Sequence, residues 1–171
     1  MRITMTIASR KMFGEIEKDW EKQLNKIKGK VTPSKLSRAK MAVQYAGTMQ
    51  WIMQKGVIAY EGSKAIGFVT WSTYGNRLGV IESVGKSPCE ISSETISNLG
   101  LKLLYIAIKN IIKSRVLKIE IELGRASLRK YYNNLGFEIV KTGSLIGGDK
   151  LIGQMLASDA KNFLNKFKYL G

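Results

Sequence analysis

The sequence predicts an α+β protein, with a mixed, largely antiparallel central sheet of about seven strands and helices on both of its faces. Three observations carry that expectation. The hydrophobic pattern switches repeatedly between the two-residue period of strands and the roughly 3.6-residue period of helices. Three strand-like runs in the first half follow one another through short glycine-containing turns, the mark of an antiparallel meander. After the meander, helical and strand patterns alternate, which brings crossover connections into the same sheet. The 171 residues suit one domain spanning 1–171, and 44 % hydrophobic residues with two prolines supply a core without covalent staples.

Residues 1–8 set Ile3, Met5 and Ile7 against polar neighbours, as a half-buried strand does. Over 11–28, Phe13, Ile16, Trp20, Leu24 and Ile27 recur at spacings of three and four, giving a helix one apolar stripe and one charged face. Glycine and proline punctuate 29–34, and Ser34 is the expected N-cap of a second helix over 36–54, with Met41, Tyr45, Met49 and Ile52 as its stripe and Gly56 as its stop. The meander strands are 57–60, 65–74 and 78–84, joined by Glu61-Gly62-Ser63-Lys64 and Gly75-Asn76-Arg77. Residues 89–95 read as a polar loop and 96–112 as a helix. Over 116–123, Leu117, Ile119 and Ile121 alternate with Lys118, Glu120 and Glu122 in a strand. A short helix at 126–135, strands at 137–142 and 150–157 around a turn holding Gly147 and Gly148, and a helix at 159–169 capped by Ser158 complete the chain.

With 28 basic and 13 acidic residues the net charge is +15, and the excess sits early. From 22 to 60 there are eight basic residues, Lys22, Lys26, Lys28, Lys30, Lys35, Arg38, Lys40 and Lys55, and no acidic one. Such a field concentrates polyanions and releases their counterions on contact, so Lys26, Lys28, Lys30, Lys35 and Arg38 are candidate nucleic-acid contacts; a solvated lysine-rich surface is the alternative. The aromatic residues Trp20, Tyr45, Trp51, Tyr60, Trp71 and Tyr74 are expected to lie mostly in the core, with one or two left to stack on a base or line a groove. The absence of histidine removes the commonest metal ligand and general base, and the single Cys89 excludes a disulfide framework and multi-cysteine zinc sites. Ser-His-Asp, Cys-His and zinc-hydrolase chemistries are therefore excluded, Cys89 has no activating partner in the sequence, and no metal is expected. No run reaches the roughly 18 apolar residues of a membrane span and the start lacks a signal-peptide core, so a cytoplasmic protein with no membrane partner is expected.

Two segments then point to a family. Tyr131-Tyr132-Asn133-Asn134-Leu135-Gly136-Phe137 resembles the hydrophobic-Tyr-x-x-x-Gly-Phe ending of the helix after the fifth strand in the GNAT superfamily of acyl-coenzyme A dependent N-acyltransferases. Ser97-Asn98-Leu99-Gly100-Leu101-Lys102-Leu103-Leu104 resembles, in part, that family's pyrophosphate-binding helix start, Arg/Gln-x-x-Gly-x-Gly/Ala before paired leucines. The likeness spans about residues 57–142, with Ser97, Lys102 and Arg125 departing from the pattern.

The resemblance implies an acetyl-coenzyme A (or other acyl-coenzyme A) cosubstrate. Its pyrophosphate would lie at Ser97, Asn98, Leu99, Gly100, Leu101 and Lys102, its pantetheine arm on the backbone of Val84 and Lys86, and further contacts would come from Arg125 and Tyr132. Tyr132 becomes the candidate acid for the departing sulfur, with Tyr131 as the alternative in register, and Glu82 the candidate base, facing the same side of its strand as Val84. Glu120 and Glu122 read as solvated or paired with Lys118. The leading function is direct acyl transfer to an amine acceptor, on or carried by tRNA or DNA. A non-catalytic nucleic-acid-binding protein on the same scaffold and a protein or small-molecule acetyltransferase are the alternatives, and a homodimer is one of the oligomeric states left open.

Overall fold

Alternation and helical periodicity fix the elements in the order the sequence predicts, and their details differ where capping chemistry intervenes. The computed structural model describes residues 3–93, 96, 98–124, 126–142 and 150–171. Its strands are β1 (Ile3–Ile7), β2 (Lys55–Glu61), β3 (Lys64–Tyr74), β4 (Leu78–Lys86), β5 (Lys118–Glu122), β6 (Glu138–Thr142) and β7 (Lys150–Leu156). The helices are α1 (Arg10–Ile27), α2 (Pro33–Ile52), α3 (Pro88–Ser93), α4 (Leu99–Ile112), α5 (Arg129–Asn134) and α6 (Ala157–Lys166). The seven strands form one sheet in the order β1-β2-β3-β4-β5-β7-β6. β1 pairs antiparallel with β2, β4 parallel with β5, and β7 antiparallel with both β5 and β6, which is the mixed α+β sheet expected. Contacts group the chain into two compact units, Met1–Thr70 with Ser83–Leu104, and Trp71–Glu82 with Tyr105–Gly171.

In the first unit, Phe68 of β3 anchors α1. Its ring meets Phe13 edge-on at 5.1 Å and stacks on Trp20 at 5.5 Å, while the Trp20 indole N–H donates to the Ala65 carbonyl at 3.0 Å. A buried indole placed in this way fills the core without leaving its donor unsatisfied. The buried stripe of α2 holds Met49, as expected, but otherwise the small Ala39, Ala42, Val43, Ala46 and Gly47, and Tyr45 and Ile52 face outward. Small residues let α1 and α2 approach closely: the Glu17 carboxylate lies over Gly47, where a Cβ would stand, and accepts the Gln50 amide at 3.0 Å.

Caps account for the other differences in this unit. Thr32, not Ser34, caps α2 by accepting the Lys35 N–H, because Pro33 fits the first helical position, where no N–H is needed. The helix ends at Ile52, before Gly56, which lies inside β2. The expected loop 89–95 is largely helix α3: the Ser87 hydroxyl accepts the Glu90 N–H at 3.2 Å, with Pro88 opening the helix.

In the second unit, Ile119 and Ile121 of β5 are buried, as are Met155, Phe137, Ile108 and Ile111. Leu117, expected in that alternation, is 67 % exposed and precedes the strand. Gly79 of β4 lies so close to Ile111 of α4 that any Cβ would collide with it. The helix expected at 126–135 is a 3-10 turn, Ala126–Leu128, running into α5. α6 starts at Ala157 with Leu156 as cap, and Ser158 lies within its first turn. The Ala157 N–H is satisfied instead by the Leu117 carbonyl at 2.9 Å.

Phe68→Ala would remove the ring that holds both Phe13 and Trp20; a loss of about 3–5 kcal/mol in denaturant unfolding is expected, with a native-like slope.

Candidate active site

Strand β4 is buried at every second residue from Gly79 to Gly85, yet its two ends face different neighbours. Successive residues of β3 face opposite sides: Phe68 packs on α1, while a Cβ on Gly67 would meet Leu99 and Leu103 of α4. On β4, a Cβ on Gly79 would meet Ile111 of α4, whereas a Cβ on Gly85 would meet the Phe68 ring. Residues an even number apart on a regular strand share a face, so the alternation reverses between Gly79 and Gly85, as at a β-bulge. The ladder to β5 runs from Leu78↔Lys118 to Ile81↔Ile121, although β4 itself continues to Lys86.

Glu82 is the first residue past the end of that ladder. The Ser72 hydroxyl, fully buried on β3, donates to Glu82 Oε1. Among the described residues, Glu82 Oε2 is buried with no hydrogen-bond partner, and the Ser83 hydroxyl, the next side chain, is in the same condition. An ionised carboxylate only accepts hydrogen bonds, so Glu82 presents one fixed oxygen and one ready to take a proton or an N–H. Two other carboxylates of this unit's sheet are engaged: Glu120 Oε1 accepts Lys118 Nζ at 2.7 Å and Gln154 Nε2 at 2.8 Å, and Glu122 pairs with Lys150 at 3.1 Å.

The predicted cofactor residues of the first unit surround the start of α4. Asn98 adopts left-handed φ 59°, a conformation asparagine tolerates, and its carbonyl accepts the Lys102 N–H at 2.9 Å. The N–H groups of Leu99, Gly100 and Leu101 therefore precede the first intrahelical donor, Lys102, and point out of the helix end. A Cβ on Gly100 would meet nothing within 4 Å among the described residues, none of which requires glycine here, and on their side its surroundings are open to an approaching anion. Leu99 is buried, Leu101 and Lys102 are half-buried, and Val84 and Lys86 are half-buried on the outer part of β4. Buried Glu90, which the sequence reading passed over, accepts the Ile96 N–H at 3.1 Å and ties α3 to the approach to α4. Ser97 and Arg125, and the Gly147-Gly148 turn, lie outside the described residues.

Tyr132 lies on α5 in the second unit. Gly136 at φ 95° ends that helix and turns the chain so that the Phe137 ring meets Tyr132 edge-on at 5.6 Å, with Tyr131 on its other side at 5.2 Å. The Tyr-x-x-x-Gly-Phe spacing is thus the spacing needed to fold an aromatic residue back onto the helix it follows. Burial pushes the Tyr132 phenol well above its ordinary value, and neighbouring Tyr131 adds to the effect, so Tyr132 holds its proton at neutral pH.

Of the predicted polyanion contacts, Lys26, Lys28, Lys30 and Arg38 are exposed. Lys35 has a structural use: its ammonium donates to the Ser92 carbonyl at 3.1 Å, holding α3. Tyr45, Trp51 and Tyr74 are exposed rather than core, while Trp20 and Trp71 are buried. Among the described residues, no group of three or more His, Cys, Asp or Glu side chains is arranged to hold a metal.

No family model matches the chain, and no curated protein sequence does. Solved structures do. A protein from Desulfovibrio desulfuricans described as a GNAT-family acetyltransferase is 16 % identical, with 91 % of this chain and 99 % of that one aligned at a TM-score of 0.58. PaiA N-acetyltransferase from Thermoplasma acidophilum, in complex with coenzyme A, is 17 % identical over 91 % of this chain and 99 % of its own, also at 0.58. YncA from Salmonella typhimurium, with its cofactor acetyl-CoA, is 13 % identical over 92 % and 95 % at 0.56. The chain therefore has the fold of the GNAT acetyltransferases.

The buried phenol has a measurable consequence. Above pH 10, the ordinary value for tyrosine, an unfolded chain releases the Tyr132 proton while the native state keeps it, so native stability falls as pH rises. Tyr132→Phe is expected to make alkaline denaturation less steep above that pH than in the parent protein, as followed by circular dichroism.

Proposed function

We propose that this GNAT-fold chain is an acetyl-coenzyme A dependent N-acyltransferase that passes the acyl group directly to an amine acceptor, with residues 1–171 acting as one acyltransferase domain in the cytoplasm. The observation that carries the reading is in β4: the alternation reverses, the β5 ladder ends, and a carboxylate with one unpartnered oxygen follows at once. A strand edge released from its ladder leaves backbone N–H and C=O groups that an amide-bearing arm can pair with, here at Val84 and Lys86. The thioester, when bound, supplies an acyl carbon activated toward nitrogen.

The chain's own residues then divide the work. The N–H groups of Leu99, Gly100 and Leu101 bind the pyrophosphate, reinforced by the helix dipole, and the Lys102 ammonium adds a charge. Asn98 shapes this helix start, and Ser97 and Arg125 join it by resemblance. Glu82 Oε2 takes the proton that the amine loses as its nitrogen bonds to the acyl carbon. Tyr132 Oη, held protonated by burial, gives its proton to sulfur as the carbon–sulfur bond breaks. The exposed, acid-free basic surface of Lys26, Lys28, Lys30 and Arg38 favours an acceptor on or carried by tRNA or DNA.

Calorimetric titration with acetyl-coenzyme A is expected to show saturable binding that Gly100→Glu abolishes, since a carboxylate at that point repels phosphate. A folded parent protein that binds no acetyl-coenzyme A would overturn the catalytic reading and leave a basic binding module. Glu82→Gln should lower kcat by about 10²–10⁴-fold while leaving acetyl-coenzyme A affinity unchanged.

A further inference from the structure

Helix α2 is unusual on the side that faces solvent. Its buried side is small, as described, and its outward side carries large apolar groups: Trp51 is 73 % exposed, Ile52 53 % and Tyr45 37 %. Helix geometry places these in two rows. Arg38, Tyr45 and Ile52 recur every seven residues on one row, and Lys40, Gln44, Thr48 and Trp51 follow the other at spacings of four, four and three. No acidic residue occurs anywhere on α2, nor between 22 and 60 as a whole. The exposed lysines Lys26, Lys28 and Lys30 lead into the N-terminal end of the helix, and Trp51 lies at the other, about 30 Å away along the axis.

We infer that this outward face of α2 binds single-stranded nucleic acid, with Trp51 and Tyr45 as stacking platforms for bases and Lys40 with the Lys26–Lys30 lysines meeting the phosphates. The inference rests on the proposed nucleic-acid carrier of the acceptor and assigns it a place and a form. The arrangement of charge decides the partner. α2 carries no carboxylate of its own, and its basic residues are complementary to a phosphate backbone, while the isolated aromatic faces beside them suit unstacked bases, which a duplex does not offer. A lipid surface would need a continuous apolar stripe, whereas Gln44, Thr48 and Lys40 separate the aromatic residues here.

Trp51 reports its own contacts, because Trp20 and Trp71 are 0 % and 5 % exposed. The whole protein would be titrated with a single-stranded oligoribonucleotide of about twelve nucleotides, with the matching duplex and with phosphatidylserine vesicles, following tryptophan emission at several salt concentrations. The single strand is expected to quench emission saturably and to bind more tightly than the duplex. Trp51→Ala should weaken it about tenfold, Trp51→Phe should restore most of the loss, and Lys40→Ala should reduce the log–log salt slope by about 0.7. Equal affinity for strand and duplex with no effect of Trp51→Ala would overturn the inference in favour of unspecific charge attraction. A blue shift with vesicles and no response to RNA would overturn it in favour of lipid. Binding of the strand by a protein that ignores acetyl-coenzyme A would uphold this surface and sink the acyltransferase reading, and the converse would do the opposite.

Discussion

A sheet can keep every backbone group paired only while its strands stay in register, and β4 gives up that condition at one place. Up to Ile81 it runs in parallel register with β5; beyond it, side chains that would have alternated reverse their faces. The glycines on either side make the change possible. Gly79 admits Ile111 where no Cβ fits, and Gly85 admits the Phe68 ring, so each half of the strand packs closely against its own neighbours. Glu82 and Ser83 lie between these glycines, with oxygens that have no partner among the described residues.

Most of the element order was legible in the sequence because period and punctuation carry it: Ile119 and Ile121, the Gly62 and Gly75 turns and the α1 stripe stand where patterning puts them. What escaped was chemistry at boundaries. The Ser87-Pro88 pair is a helix-start signal of the same kind as Thr32-Pro33, yet a polar composition made 89–95 look like a loop. On α2, large apolar residues suggested a buried stripe, when the tight approach to α1 demanded alanine and glycine. Propensity cannot see a neighbour, and here the neighbour decided.

The candidate site divides in the same way. Tyr132, Gly100 and Glu82 were named from motif and strand position; around them stand a folded-back Phe137, an open Cβ direction and a carboxylate oxygen with no partner among the described residues. Ser72 and Glu90 were invisible, since a buried serine or glutamate acquires a role only through a partner ten or six residues away. The reversal in β4 was equally hidden, because a bulge shifts faces without changing composition. Lys35 illustrates the opposite error, a charge counted toward the basic surface that the fold uses to hold a carbonyl.

The unpartnered oxygen of Glu82 also bears on how far this fold lies from its own stability optimum. A buried acceptor without a donor is a standing penalty of about 1–3 kcal/mol, one that an apolar side chain of similar size would not incur. A chain selected for rigidity alone would have no reason to keep a carboxylate at that point. Its presence sets a tension in β4 between the sturdiest sequence for this backbone and one that keeps an acceptor for the proposed role of base.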